Sequence, residues 1–190
     1  AAFPALWLGV GFMRTSGRVA FPILSALARE GIAIDGYWAD EAGIDERRAA
    51  GEQAEAAAIG DVRRRSGWQG LYFGGTAFKG QRPVAPALYE TAARIAAAHM
   101  DAVCTSGAGT GKEPDMAKIE AFRRGAGDHP VAVASGITPE NAAAFARDVD
   151  CFMVATGINR PGDFYDIDPQ RLARLMQVTG RLQRDPVSGV

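Results

Sequence analysis

The chain of 190 residues carries 21 basic and 22 acidic side chains, and 47% of its residues are hydrophobic. Such a length suits about one domain and such an apolar content fills a single core, so disorder is not the default; the near-zero charge balance supplies no overall field to hold nucleic acid or anionic lipid. With no apolar run near the ~20 residues of a membrane span and no basic–apolar–small leader, the expectation is a cytoplasmic protein without an integral membrane segment.

In chain order, the first strand-length apolar run is "LWLGVGFM" (6–13), followed by helical periodicity over 18–30 that stops at Gly31. "DGYWAD" (35–40) is the second, with an Ala- and Arg-rich stretch over 46–65 ending at Gly67. "GLYFGG" (70–75), "DAVCTSG" (101–107), "PVAVASG" (130–136) and "CFMVATG" (151–157) follow, alternating with helical patterns at 84–99, 115–125, 139–147 and 168–178. Thr138-Pro139-Glu140 and Asp168-Pro169 signal helix starts, and Gly125 reads as a helix end. Runs apolar on both faces that alternate with helices predict an α/β fold with a parallel sheet, and function is expected at the C-terminal strand ends. Residues 1–180 read as one domain and 181–190 as a loosely held tail. The chain starts without methionine and almost on a strand, so Ala1 is not expected to be the natural start.

"CTSGAGTGKEPD" (104–115) looks at first like a P-loop. Counting back from Gly111-Lys112, the first glycine should be residue 106, which is Ser106, and the magnesium hydroxyl should be residue 113, which is Glu113. Gly107, Gly109 and Gly111 also miss the dinucleotide fingerprint. Neither of the two cysteines, Cys104 and Cys151, has metal-ligand spacing; both read as buried free thiols, and no metal or cofactor is expected.

The glycine-rich strand ends come late, in "ASGITPEN" (134–141) and "VATGINR" (154–160). This resembles the ribulose-phosphate-binding TIM barrels, in which phosphate sits between the loops after the seventh and eighth strands. The first visible strand would then be the third, and the expectation is a TIM (β/α)8-type barrel lacking its first two βα units. Together with "DGYWADEAGIDE", "WQGLYFGGTAFKGQRPV" and "DAVCTSGAGTGKEPDMAKI", these segments are similar to the BtpA/SgcQ family over about residues 34–178. The resemblance implies photosystem I biogenesis for BtpA-like members and sugar metabolism for SgcQ-like ones, without fixing a reaction.

On this reading Thr105, Ser106 and Lys112 point into the barrel mouth. Arg14, Thr15, Glu41, Asn159 and Arg160 also fall at strand ends. Asp40, after "GYW", is the acid–base candidate, since aromatic walls would raise its pKa; a loop-capping aspartate is the alternative. Lys79 is an anchor for an anion, an amine nucleophile if buried, or a solvated lysine. Gly136 and Gly157 would let backbone N–H groups close on a phosphate, with Ser135 and Thr156 adding hydroxyls and the helix after Thr138 its positive end; a plain turn is the alternative. His99 and His129 lie at the opposite rim and read as structural, and Arg63–Arg65 as a solvated helix face. The competing functions are an enzyme on a phosphorylated sugar or nucleoside-like metabolite, a non-catalytic assembly factor, and a phospho-metabolite sensor. Six strands of eight leave open edges, so a missing segment or a homo-oligomeric partner is expected to cover them.

Overall fold

The computed structural model describes residues 6–182. Its six strands are β1 (Gly9–Gly11), β2 (Gly36–Ala39), β3 (Leu71–Gly75), β4 (Ala102–Ser106), β5 (Val131–Ala134) and β6 (Cys151–Met153). They pair in sequence order, every pair parallel. Among the described residues β1 and β6 have one ladder each, so the sheet is a curled arc and not a closed barrel. The helices are α1 (Gly17–Arg29), α2 (Ala54–Ser66), α3 (Tyr89–Ala96), α4 (Met116–Ala126), α5 (Ala142–Phe145) and α6 (Pro169–Leu182). None of them is long and apolar enough to cross a membrane.

The two-residue period of the strands separates two cores. Tyr37, Tyr72, Val103 and Val131 point outward, where Phe21 and Leu24 of α1 and Phe122 of α4 cover them. Trp38, Phe73, Cys104, Ala132 and Met153 point into the hollow of the arc. Around α5 and α6, Ile119, Val133, Phe145 and Leu175 form a further buried cluster. Each fully buried large side chain stabilises by roughly 1.5–3 kcal/mol.

The units come in pairs. An aspartate stands just before each even strand, and its Oδ2 accepts the N–H at the foot of the preceding odd strand. The pairs are Asp35 with Leu8 (2.8 Å), Asp101 with Tyr72 (2.6 Å) and Asp150 with Val131 (2.8 Å). In return each aspartate N–H donates to the carbonyl of that same residue. The helices follow suit, since α1 packs on α2, α3 on α4 and α5 on α6.

Three helical expectations need correction. Residues 46–53, read as the start of a helix, fold instead into an ion-paired loop with a single 3-10 turn at Ala50–Glu52. Arg82 reaches the buried Glu46 (2.7 Å), Arg47 binds Asp45 (2.8 Å), and the Gln53 amide donates to the carbonyls of Asp45 (2.9 Å) and Ala49 (3.1 Å). The helix read over 139–147 shrinks to α5 because side chains close a turn first: Asn141 Oδ1 takes the Thr138 N–H (2.8 Å) and Thr138 Oγ1 takes that of Glu140 (3.2 Å). Gly125 lies inside α4, where a Cβ would stand 2.1 Å from Glu90 O of α3. The helix ends instead at Gly127. Gly31 and Gly67 do terminate α1 and α2 with positive φ, and Asp168 Oδ1 caps α6 through the Gln170 N–H (2.8 Å). Apart from residues 181 and 182, which belong to α6, the proposed tail lies outside the described residues.

Candidate functional site

The C-terminal strand ends surround a cavity of about 1630 Å³. Small-molecule sites commonly enclose roughly 300–1,000 Å³; here the volume also runs down the hollow of the open arc, past Trp38, Phe73 and Met153. Asp40, Lys79, Ser135, Gly136, Thr156 and Gly157 all line it, as do Arg14, Thr15 and Glu41. Three non-glycine residues with positive φ stand just beyond the odd strands: Arg14 (56°) after β1, Ala77 (47°) after β3 and Ser135 (74°) after β5. Such strain persists only where the surroundings over-determine it, and it clusters at functional sites.

Lys79 is the centre of the polar wall. Its Nζ donates to Ser135 Oγ (2.7 Å), in the loop after β5, and to Thr110 Oγ1 (2.9 Å), in the loop after β4. Its backbone N–H is held by Ser106 Oγ (2.8 Å). Three strand ends thus converge on one ammonium group. Asp40 stands at the end of β2, where its Oδ2 accepts the Arg14 N–H (3.3 Å). Gln81 Nε2 clamps the same region by donating to the carbonyls of Asp40 (2.7 Å) and Gly75 (3.0 Å). Burial, and secondarily the negative charge of Asp40, push the Tyr37 phenol up to about 12, so it stays protonated and donates to Thr15 O (3.0 Å).

Several expected site residues stand elsewhere. Thr105 and Ser106 are fully buried and do not line the cavity. Alternation along β4 turns Cys104 into the hollow and Thr105 away from it. Thr105 Oγ1 donates to Ala77 O (3.4 Å), while Ser106 Oγ donates to Gly107 O (2.9 Å). Lys112 is exposed outside the cavity. Its carbonyl lies where a Gly136 Cβ would stand (2.0 Å), and Ile137 O does the same at Gly157 (1.9 Å). Both glycines therefore admit neighbouring backbone, although their N–H groups make no hydrogen bond to the described residues. Asn159 is buried and closes a small hairpin by donating to Phe164 O (2.8 Å), whereas Arg160 is exposed and away from the cavity. At four residues α5 is too short to bring a helix dipole to the mouth.

Four residues were missed. Thr110 and Gln81 lie in the quoted segments "CTSGAGTGKEPD" and "WQGLYFGGTAFKGQRPV", but nothing in the letters shows which side chains turn inward. Phe164 reaches the cavity from the loop after β6. The fourth, Lys118, is buried in α4 behind the wall. Cys104 is buried and its thiol is pushed up by burial; Cys151 is partly buried and shifted the same way. Neither histidine lines the mouth. Arg63, read as solvated, instead binds Asp101 and Gly70 O at the opposite rim.

Among solved structures, the fold is similar to phosphoribosyl anthranilate isomerase from Thermus thermophilus (TM-score 0.56, 15% identity, covering 94% of this chain and 74% of that one). It is also similar to monomers of the dimeric isomerase of the same name from Thermotoga maritima (TM-score 0.59, 11% identity, 95% and 75%). A mandelate racemase/muconate lactonizing enzyme from Roseiflexus sp. matches at TM-score 0.54 and 14% identity, with 94% of this chain covering 46% of that one. At such identities the likeness is one of fold. No curated protein matches the sequence. The sequence pattern of the BtpA family matches residues 78–181, more than half of the chain and the part that carries Lys79, Thr110 and Ser135, and the chain belongs to that family.

Proposed function

We propose that the mouth binds the phosphate group of a small metabolite, a sugar phosphate or a nucleoside-like compound, and that Asp40 acts on it as an acid–base group. The observation that carries this reading is Lys79 Nζ held between Ser135 Oγ and Thr110 Oγ1 on the wall of a cavity that Gly136 and Gly157 also line, their N–H groups making no hydrogen bond to the described residues. A phosphate dianion there would take the ammonium charge, two hydroxyl donors and two backbone donors, each stronger for being charge-assisted. With Oδ2 on the Arg14 N–H, Asp40 keeps Oδ1 for a substrate proton. On this reading two further βα units, the first two of an eight-stranded barrel, would close the arc between β6 and β1. The coverage of about three-quarters of each isomerase supports that count.

Calorimetry with inorganic phosphate and a panel of sugar phosphates tests the site. Lys79→Ala is expected to lose about tenfold or more in affinity. Asp40→Asn should bind as the unaltered protein does and turn over nothing. Binding without conversion of any compound would make the protein a sensor or an assembly factor and remove the role of Asp40; unchanged affinity in Lys79→Ala would remove the site.

A further inference from the structure

Lys118 is the third residue of α4, one turn inside the helix that Asp115 caps through the Ala117 N–H (3.0 Å). It is only 9% exposed. Its Nζ donates to Ala77 O (2.6 Å) and Ser106 O (2.8 Å) and lies over the rings of Tyr89 (5.3 Å) and Phe122 (5.8 Å). No carboxylate among the described residues forms an ion pair with it. A buried ammonium without an anion is costly, and an apolar residue of similar length would fill the same space more cheaply.

The two carbonyls it holds flank Lys79. Ala77, with its positive φ of 47°, is two residues before Lys79, and the hydroxyl of Ser106 holds the Lys79 N–H at 2.8 Å. Ala77 O also takes the Thr105 hydroxyl. Lys118 thus ties the loop after β3 to the end of β4 from behind the wall, at the two residues that determine where the Lys79 backbone lies. We propose that Lys118 is a positioning residue of the mouth, which aims the Lys79 ammonium at Ser135 by fixing the carbonyls of Ala77 and Ser106. The inference rests on the anion-binding reading of the mouth. α6 repeats the device: Arg171, again the third residue of its helix, donates Nε–H to Gly157 O (2.9 Å).

The test is a double-mutant cycle read by sulfate affinity, since a residue that acts through another loses its effect when that other is gone. Sulfate binding is measured calorimetrically on the intact chain, on Lys118→Met, on Lys79→Ala and on the double variant. Lys118→Met is expected to weaken sulfate about tenfold when Lys79 is present and not at all when residue 79 is alanine. Equal losses in both backgrounds, or no loss in either, would overturn the positioning role while leaving the anion site standing. Sulfate that binds Lys79→Ala as tightly as the intact chain would remove the anion reading, and this inference with it. Should Lys118→Met not fold, Lys118→Gln keeps a neutral donor for one carbonyl and is expected to give a smaller loss with the same dependence on Lys79; a loss independent of Lys79 would again refute the proposal.

Discussion

The first pair of βα units and the two that follow use the same aspartate at the foot of the even strand, yet only the later ones complete it. Asp101 receives Arg63 and Asp150 receives Arg123, each arginine coming from the helix before the pair and also holding the chain that enters its odd strand, at Gly70 O or His129 O. Asp35 has the Leu8 N–H and, among the described residues, no cation. Arg63 precedes Tyr72 by nine residues and Arg123 precedes Val131 by eight, so the two ties recur at nearly the same spacing. The upper rim repeats the contrast. Where α4 has Lys118 and α6 has Arg171 on strand-end carbonyls, the third residue of α2 is Ala56. The lesson is that the second and third pairs are each tied down by cations from the helix before the pair and the helix that ends it. Among the described residues the first pair has neither tie, and Gln81 and Arg82, lent by the loop after β3, hold it instead.

The largest effect is expected where the second and third pairs touch. Gly136 has φ of 75° and leaves no room for a Cβ against Lys112 O. Gly136→Val should destabilise by about 3 kcal/mol or more, as strain and overpacking add. Urea unfolding measures it, and a change under 1 kcal/mol would mean that the two loops part easily.

Next comes the comparison of the aspartates. Asp101→Ala removes an ion pair and strands the Tyr72 N–H and a half-buried guanidinium, a loss of about 2–3 kcal/mol. Asp150→Ala should cost somewhat less, because its side chain is 54% exposed and solvent screens the pair. Asp35→Ala forfeits one backbone bond and should cost about 1 kcal/mol. Three equal losses would show that the arginines add nothing.

The same comparison explains what the letters reveal. Strands buried on both faces announce themselves as apolar runs, so the six strands and their order are readable from "GLYFGG" to "CFMVATG". The recurrent Asp before "GYW", "AVC" and "CFM" is also visible, but its meaning is not, because its partner is a backbone group that the sequence does not locate. Residues 46–53 are rich in good helix formers, and the side-chain bonds that hold them as a loop, Arg82–Glu46 above all, are not visible in the letters. At the mouth, Lys79 and Ser135 stand out as a cation and a hydroxyl at strand ends. The letters mark Gly136 and Gly157 for close approach of a phosphate, whereas the space of each missing Cβ is filled by backbone from other loops, at Lys112 O and Ile137 O.

The smallest expected effect separates the cation of the second pair from the alanine of the first by pH. Burial, only partly opposed by the negative charge of Asp115, lowers Lys118 from 10.5 to about 8, so the unfolded chain binds a proton more tightly than the folded one. This lysine's contribution is therefore fully present above its unfolded value and is lost as pH falls from there through about 8; stability rises with pH across that window. Burial works the other way on Tyr37 and Cys104, whose raised values erode stability as pH climbs past their unfolded ones. The Lys118 contribution is therefore read as a difference, by urea unfolding of the unaltered chain and of Lys118→Met at pH 8 and pH 9. The unaltered chain should gain about 1 kcal/mol relative to the variant over that step. A difference that stays flat would mean that Lys118 keeps its proton in the fold as readily as in water, and that the two carbonyls and two rings around it compensate its burial in full.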